Sequence, residues 1–534
     1  MKKIQLTQWS LVAALAFCLS ANAQSTSGFT TKKAALTDNQ LKRWSHLDLA
    51  KDSIPGMSVD KAYAELLQNK TGVPVIVGIV DSGVDIEHED LKSVIWTNKK
   101  EIANNGIDDD KNGYIDDIHG WNFLGNITKE DYEYVRILKN KSLVDEATYL
   151  VAKSYNDKKV AEANTNILQL ERVFEGTTKA DEALRKHLGK DTYTADDLKA
   201  IKSDDATLMR SSAIMQQMLN YGMPIDALIK EVKKELDDFK SIANGDNLKN
   251  DYRKILGDNP DDLKDNKYGD NNVMGPDKEE ILHGTHVAGI VAQVRNNNIG
   301  GDGIANQVQI LTVRAVPDGD EYDKDIALGI RYAVDNGAKV INASFGKDFS
   351  PHQQWVFDAI KYAESKDVLI VHAAGNDAKD IDTEPNFPND AADKKKEFAD
   401  NVITVGALNF EYGKQMVADF SNIGKINVDV FAPGVKIYAS TPNNGYQFLQ
   451  GTSMASPNVA GVAALIRSYY PKLSAKQVKH ILMDSGTSIN ENVAFAGNVN
   501  DVKPFASLSK SGKIVNAYNA LKLAAKMSTQ KGKK

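Results

Sequence analysis

This chain of 534 residues contains a serine, a histidine and an aspartate whose side chains together could form a nucleophilic site. Ser453 lies in a run of small residues, 451–457, that leads into a predicted helix. A serine hydroxyl is a poor nucleophile at neutral pH unless a base removes its proton as it attacks. Histidine can be that base, because its ordinary pKa is about 6.5. A carboxylate on the far ring nitrogen then fixes the tautomer. His283 and Asp81 are the candidates for these two groups.

The three side chains lie in motifs that occur in a fixed order. Asp81 lies in VGIVDSGVD (77–85), His283 begins HGTHVAG (283–289), and Ser453 lies in GTSMASP (451–457). In sequence and in their order along the chain, these motifs resemble those of the subtilisin-like serine peptidases, the subtilases. The resemblance implies that Ser453 is the nucleophile, His283 the general base and acid, and Asp81 the orienting carboxylate.

Each of these residues also has a structural explanation when it is taken alone. Ser453 could cap a helix, His283 could be a hydrogen-bonded core residue, and Asp81 could cap a turn. His286, the second histidine of the same motif, is the other candidate for the base. In the family the first histidine of this motif is catalytic, so the resemblance implies a structural hydrogen-bonding role for His286.

A donor for the developing oxyanion is expected after a separate strand. The segment VHAAGND (371–377) is similar to the family segment that contributes a side-chain amide. The resemblance therefore implies that Asn376 donates to the oxyanion, together with the backbone N–H of Ser453 at its helix N-terminus. The structural alternative is an asparagine in a left-handed turn after Gly375.

Substrate recognition is expected to use main-chain pairing, since an extended peptide can add a strand to an exposed sheet edge. The resemblance implies that two segments flank the substrate and that the second forms a pocket wall with residues 373–375. Small residues in these segments favour a roomy apolar pocket. The predicted substrate-binding residues are Val316, Asp318 and Gly319, then Ser344, Phe345 and Gly346, and finally Ala373 and Gly375.

An acidic loop, NGIDDDKNGYIDD (105–117), has the composition of a calcium site. Oxygen-bearing side chains alternate along it and a glycine permits a sharp turn, as in the first half of an EF-hand loop. The downstream bidentate glutamate of an EF-hand is absent, and the alternative is a solvated acidic turn. The predicted Ca²⁺ ligands are Asp108, Asp110, Asn112 and the carbonyl of Tyr114, with Asp116 or Asp117 completing the shell.

A second calcium site is implied by the resemblance alone. Asp90 in HEDL (88–91) and Asn297 in NNNIG (296–300) occupy positions that match the calcium loop of the family. Gly301 stands where the family usually has a larger residue, but the family uses only a backbone carbonyl there.

These residues must be positioned by strands and helices that alternate along the chain. Helical patterns at 326–336 and 355–365 separate apolar runs, which predicts a parallel sheet covered by helices, an α/β fold. In such sheets reactive groups gather at the carboxyl ends of strands, where Asp81 and Asn376 both fall. The resemblance implies a subtilisin-like three-layer fold with a mostly parallel sheet. Strands are predicted at Pro74 to Val80, Val308 to Val316, Lys339 to Ala343, Asp367 to Ala373 and Asn401 to Ala407.

The composition changes along the chain predict several units. Between 126 and 269 the β-branched runs give way to Lys, Glu, Asp, Leu and Ala at helical spacing, which predicts an inserted helical unit. This unit is either a packed decoration or a lid or partner-binding arm that shapes substrate access. The predicted units are a signal peptide (1–23), an N-terminal extension (24–59), a peptidase domain (60–125 and 270–525), the helical insertion (126–269) and a polar tail (526–534).

The N-terminus has the pattern of a secretory signal peptide. Two lysines precede an apolar run at 11–19, and small residues precede a predicted cleavage site after Ala23. The only cysteine, Cys18, lies in this leader, so the mature chain would hold no disulfide. A lipoprotein signal at Cys18 is disfavoured, because bulky Phe17 stands where a small residue is expected. The predicted location is the periplasm or the exterior of the cell.

The charge and hydropathy patterns exclude two classes of partner. The formal net charge is −7, with acids and bases interspersed and no basic block suited to phosphate backbones, so no nucleic acid is expected. No stretch reaches the ~20 apolar residues of a membrane span, so no transmembrane anchor is expected. The expected partners are protein or peptide substrates, and the sequence does not indicate an oligomeric state.

The resemblance implies a secreted endopeptidase that hydrolyses peptide bonds through an acyl-enzyme. A competing hypothesis is a non-catalytic peptide-binding protein on a peptidase scaffold, but a complete triad with Asn376 argues against it. A related acid peptidase class uses Ser, Glu and Asp. His283 in its full motif argues against that class and predicts activity at neutral to alkaline pH.

Overall fold

The computed structural model describes residues 28–219 and 224–531. The predicted signal peptide with Cys18, and the last three residues of the predicted tail, lie outside these ranges. The α-helices are α1 (Asp38–Arg43), α2 (Leu49–Asp52), α3 (Val59–Ala62), α4 (Glu133–Lys139), α5 (Glu146–Leu188), α6 (Ala195–Ala200), α7 (Ala206–Leu219), α8 (Ile225–Asn244), α9 (Leu282–Ala292), α10 (Asp323–Asp335), α11 (Gln353–Ser365), α12 (Thr452–Tyr469), α13 (Ala475–Asp484) and α14 (Ala517–Lys531).

The strands form one large sheet and two hairpins. They are β1 (Val75–Asp81), β2 (Gly120–Asn122), β3 (Val308–Arg314), β4 (Val340–Ala343), β5 (Leu369–Ala373), β6 (Val402–Leu408), β7 (Val430–Pro433), β8 (Ile437–Thr441), β9 (Gly445–Leu449), β10 (Thr487–Ser488), β11 (Asn492–Phe495), β12 (Asn498–Pro504) and β13 (Lys513–Ile514). The nine-stranded sheet has the order β10-β13-β7-β6-β5-β4-β1-β3-β2. All its neighbouring pairs are parallel except β10 with β13.

The central strands are apolar throughout because helices cover both faces of the sheet. Val77 and Ile79 of β1 point into one hydrophobic core, which they share with α9 and α12. Val80, one residue on, points into the other core, shared with α10 and α11. This alternation follows from the two-residue period of a strand. The predicted α/β three-layer fold is therefore confirmed, and the predicted strands correspond to β1, β3, β4, β5 and β6.

The segment 126–269 contains α4 to α8 and has a hydrophobic cluster of its own. Leu184 of α5, Leu198 of α6 and Met215 of α7 are buried together in this cluster. The two ends of the segment meet in an antiparallel bridge, in which the Asn122 N–H donates to the Asp270 carbonyl at 2.9 Å and the reverse bond is 3.0 Å. The helical unit thus leaves and re-enters the sheet at one point.

The described part of the N-terminal extension packs into the main core. Trp44, only 1% exposed, donates from its indole nitrogen to the Val435 carbonyl at 3.0 Å. The Asp48 side chain caps α2 by accepting from the Lys51 N–H. Ser58 is the N-cap of α3, but its hydroxyl donates to Asp48 at 2.9 Å and makes no capping bond.

Within 28–219 and 224–531, no helix combines the length and the apolar composition that a membrane span requires. The longest, α5, has 43 residues, and most of those are polar or charged.

Candidate active site

Asp81 and His283 are brought together at the carboxyl end of the central strand. Asp81 is the last residue of β1, and His283 is the second residue of α9, which packs on that strand. The Nδ1 atom of His283 lies 2.7 Å from Oδ1 of Asp81. An ionised carboxylate can only accept, so Nδ1 carries the hydrogen and Nε2 is left with a free lone pair. The pair is therefore oriented for Nε2 to accept a proton.

Two opposing effects set the pKa of His283. Burial lowers this pKa, while the charge of Asp81 and its hydrogen bond raise it, and the balance leaves the pKa above the ordinary value of 6.5. Asp81 itself is 1% exposed, so solvent screens its charge only weakly. Protonated His283, the form produced when Nε2 accepts a proton, is therefore stabilised.

Ser453 is the second residue of α12, the helix that packs against α9. Its hydroxyl donates to the backbone carbonyl of Ser344 at 3.2 Å, and the Ser344 hydroxyl donates back to the Ser453 carbonyl at 2.9 Å. In this rotamer the hydroxyl is directed to Ser344 rather than to His283. The N-cap of α12 is Gly451, so Ser453 does not serve as a helix cap.

Asn376 lies beside the N-terminus of α12 and is held there by Thr452. The Asn376 Oδ1 atom accepts from the Thr452 backbone N–H at 2.8 Å and from its hydroxyl at 2.9 Å. Because the side-chain oxygen is engaged, the Nδ2 amide is left to donate elsewhere. Thr452 is a positioning residue that the motif comparison did not identify, since nothing in the sequence indicates its contact with a residue 76 positions away.

The left-handed turn in this segment is made by Gly375 rather than Asn376. Gly375 has a φ of +100°, whereas Asn376 is not among the residues with positive φ. A Cβ at Gly375 would lie 2.3 Å from Nδ2 of Asn422, so only glycine fits there. The purely structural explanation for Asn376 therefore does not apply.

His286 is a structural residue, as predicted. It is fully buried, and its Nε2 atom lies 3.1 Å from the backbone carbonyls of both Ile437 and Gln447. Burial lowers its pKa to about 4, so the ring is neutral at physiological pH. These bonds attach α9 to the hairpin of β8 and β9 and keep His286 away from the serine.

A cavity of about 580 Å³ opens beside Ser453 and Asn376. Its volume is in the range typical of ligand sites. Of the predicted substrate-binding residues, Phe345, Gly346, Ala373 and Gly375 line it.

Asp318, on the other predicted flanking segment, is paired with residues that lead into the helical unit. Its carbonyl accepts from the Glu130 N–H at 2.9 Å, and its own N–H donates to the Thr128 carbonyl at 2.9 Å. Gly319 packs so closely that an added Cβ would lie 2.3 Å from the Glu130 carbonyl oxygen. Val316 donates to the Asp81 carbonyl at 3.2 Å. The main chain of Asp318 is therefore not available to a substrate strand on that side.

In the acidic loop, the structure brings Asp108 and Asp110 together with Glu101, which precedes the loop. Carboxylate oxygens of these three residues lie within 4.8 Å of one another. The Oε2 atom of Glu101 is buried and lacks a hydrogen-bond partner among the described residues. A hard cation would satisfy this oxygen, so the three side chains fit Ca²⁺. Glu101 was missed because an EF-hand pattern has no ligand upstream of its first aspartate.

The other predicted ligands of this loop mainly hold its shape. Asp116 accepts from the N–H groups of Asn105 and Gly106, at 3.2 and 2.9 Å. Asp117 is fully buried and accepts from Asn112 at 3.0 Å and from the Tyr332 hydroxyl at 2.6 Å. Burial raises the pKa of Asp117 to about 6. The Tyr114 ring packs against Trp121 with centroids 5.0 Å apart.

Asp90 and Asn297 are also adjacent, but through a hydrogen bond. The Asn297 amide nitrogen donates to Asp90 Oδ1 at 2.6 Å, and the Gln293 amide donates to Oδ2 at 2.8 Å. Burial raises the pKa of Asp90. In this arrangement Asn297 presents its amide nitrogen to the carboxylate.

The chain is similar in sequence to known serine peptidases. The model of the Subtilase family matches residues 72–501. The Thermophilic serine proteinase of Bacillus sp. (strain AK1) is 44% identical over 187 residues, which are 35% of this chain and 42% of that protein. Subtilisin DY of Bacillus licheniformis is 36% identical over 226 residues, 42% of this chain and 77% of that protein.

The similarity extends to a solved structure. It belongs to the proteases from Pseudoalteromonas arctica PAMC 21717, with 31% identity, a TM-score of 0.38, and coverage of 45% of this chain and 70% of the other. The chain spans less than half the length of the first relative above and about three quarters of the second. Since the family model covers most of its length, this chain belongs to the subtilase family.

Proposed function

We propose that this chain is a secreted serine endopeptidase that hydrolyses peptide bonds through an acyl-enzyme on Ser453. The observation that carries the proposal is the 2.7 Å contact between His283 and Asp81. The helix of His283 packs against the helix of Ser453. Nucleophilic acyl transfer requires an oriented imidazole that can reach a serine hydroxyl, and the packing of the two helices supports this role for His283 and Ser453.

Each proton in this mechanism has a donor and an acceptor. The Ser453 hydroxyl turns away from the Ser344 carbonyl and gives its proton to Nε2 of His283 as its oxygen attacks the peptide carbonyl. The charge of Asp81 stabilises the imidazolium that forms. His283 then protonates the leaving amine, which leaves an ester on Ser453. Water attacks this ester with His283 again as base, and the acid product and the free hydroxyl are released.

The oxyanion of each tetrahedral intermediate would be bound by two donors. These are the side-chain amide of Asn376, oriented by Thr452, and the backbone N–H of Ser453 in the first turn of α12. Donors fixed in advance stabilise charge as it develops, because they need no reorganisation during the reaction.

The proposal is tested by covalent labelling. A fluorophosphonate probe should label the wild-type protein and not Ser453→Ala, and only the wild type should cleave a casein or peptide substrate. Circular dichroism of both proteins controls for folding. A folded wild type that neither reacts with the probe nor cleaves a peptide library would instead support a non-catalytic peptide-binding protein.

We also propose that Glu101, Asp108 and Asp110 hold a structural Ca²⁺. The ion would compensate three converging carboxylates and fix the loop that leads into β2. The second site at Asp90 and Asn297 stays a prediction from family resemblance. Metal analysis of the purified protein gives the number of bound ions and so tests both sites.

A further inference from the structure

The cavity beside Ser453 is formed partly by the helical unit. Its peptidase side includes Ser453 and Asn376, and its opposite side is formed by α5 and α8. The helical residues that line it are Tyr155, Lys159, Glu162 and Asn166 of α5, and Phe239 and Ile242 of α8. A substrate bound at Ser453 would therefore face residues that have no counterpart in a peptidase domain without this unit.

Buried ion pairs join the parts of the helical unit that flank α5 and α8 to the peptidase domain. Glu133 of α4 pairs at 2.9 Å with Lys347, which follows the predicted substrate segment at Phe345 and itself lines the cavity. Arg253 pairs at 2.6 Å with Asp325 of α10. All four side chains are almost fully buried, and each cation has a second buried partner: Lys347 pairs with Asp323 at 2.9 Å and Arg253 with Asp258 at 2.7 Å. These pairs attach the segments on either side of α5–α8 to the peptidase domain.

Most charged groups that line the cavity are compensated by a neighbouring charge. Lys159 and Glu162 pair with each other at 3.4 Å. Asp348 pairs at 2.7 Å with Lys379, which lies 3.7 Å from Asp377. These pairs offset part of the charge of the lining, which also includes Asp320 and Lys347.

The apolar side chains that α8 adds to this wall, Phe239 and Ile242, are only half-buried. Phe239 and Ile242 line the cavity and pack against none of the hydrophobic clusters formed by the described residues. Tyr155 of α5, in the same wall, makes an edge-to-face contact with Phe349, with ring centroids 5.6 Å apart. Covering apolar surface in a cavity with an apolar ligand lowers the free energy of the complex, because that surface is removed from water.

We propose that α5 and α8 determine substrate specificity, and that Phe239 and Ile242 select a large aromatic or aliphatic side chain on the acyl side of the scissile bond. This inference rests on the proposed peptidase function, because the selected side chain belongs to the peptide that reacts at Ser453. The wall extends a pocket whose other side is Phe345, Gly346 and Ala373.

The test uses chromogenic peptides that differ only in the acyl-side residue, with Phe, Leu or Ala at that position. Phe239→Ala should lower kcat/KM for the Phe peptide by roughly 10-fold and leave the Ala peptide within about 2-fold, because only a large side chain reaches the wall. Phe239→Leu should restore most of the loss. Leu168→Ala is the matched control, since Leu168 lies on α5, is 62% exposed and does not line the cavity.

Each outcome decides the proposal. A selective loss for the large residues supports it, whereas an equal loss for all peptides, or no loss, overturns it. Thermal unfolding and fluorophosphonate labelling of each variant separate specificity from folding and from the state of the nucleophile. If the wild type is neither labelled nor active, the peptidase function itself fails; if labelling is normal and selectivity is unchanged, only the role of α5 and α8 fails.

Discussion

Among single side chains, His283 determines the pH range in which Ser453 can be activated. The base must be neutral, so activity should rise as pH increases through the pKa of His283, which lies above 6.5. We expect the acidic limb of the kcat/KM profile to have its midpoint above pH 6.5. Asp81→Asn removes the group that raises this pKa, so the midpoint should fall and kcat should drop by about 10⁴-fold. A wild-type maximum near pH 4 would contradict this assignment.

Thr452 offers a second prediction, because it orients Asn376. Thr452→Val keeps the shape of the side chain but removes the hydroxyl that donates to Asn376. We expect kcat to fall by about 10-fold with little change in KM, and Asn376→Ala to lower kcat by about 10²–10³-fold, as for loss of one oxyanion donor. Steady-state kinetics on one peptide measures both. A wild-type kcat for Thr452→Val would show that the backbone N–H of Thr452 alone holds the amide.

For single residues, the sequence predicts the reacting groups well but does not predict the residues that position them. Asp81 and His283 could be predicted to meet because their motifs have a fixed chemistry and order. The roles of Glu101 and Thr452 could not be predicted, because Glu101 lies outside the EF-hand pattern and Thr452 acts through Asn376, which only folding brings near it. Ser344 was predicted as a substrate contact, but its exchange of hydrogen bonds with Ser453 depends on two distant elements.

Among the elements, the acidic loop is where an ion should affect stability. A ligand that binds only the folded state stabilises it by about 2.7 kcal/mol at 100 times its dissociation constant. EGTA should therefore lower the melting temperature of the wild type by several degrees, and Glu101→Gln should reduce this difference. Differential scanning calorimetry with and without EGTA measures it.

The matched control for the loop is Glu182→Gln, which removes an exposed acid of α5 far from it in sequence. Its EGTA effect should equal that of the wild type. An unchanged melting temperature of the wild type in EGTA, together with no bound metal, would contradict the calcium proposal.

The strands could be predicted from sequence because burial on both faces leaves continuous apolar runs, as in β1 and β5. The helical character of 126–269 could be predicted from its composition and periodicity. Its contact with the cleft could not, since it depends on pairs such as Glu133 with Lys347, which are 214 positions apart. Periodicity specifies which face of a helix is apolar and leaves open what that face will contact.

For the whole molecule, the N-terminal segment from 28 to 59 is part of the fold. Trp44, Ile54 and Met57 are at most 1% exposed in the main hydrophobic core. Trp44→Ala should lower the free energy of unfolding by about 3–5 kcal/mol, as for other large-to-small core substitutions. Urea denaturation followed by circular dichroism measures this change. N-terminal sequencing of the mature protein should accordingly find these residues retained, and a mature chain that begins after residue 59 would refute both expectations.

The bridge between Asn122 and Asp270 has a consequence for the ancestry of the molecule. An inserted segment whose two ends are adjacent can be gained, exchanged or lost without changing the spacing of the peptidase-domain strands on either side. The peptidase domain can then acquire a new substrate preference when the helical unit is replaced, while the catalytic residues and their reaction stay the same. Buried charges of the peptidase domain that pair with the helical unit, such as Asp325, limit this exchange, because any replacement must supply a compensating charge.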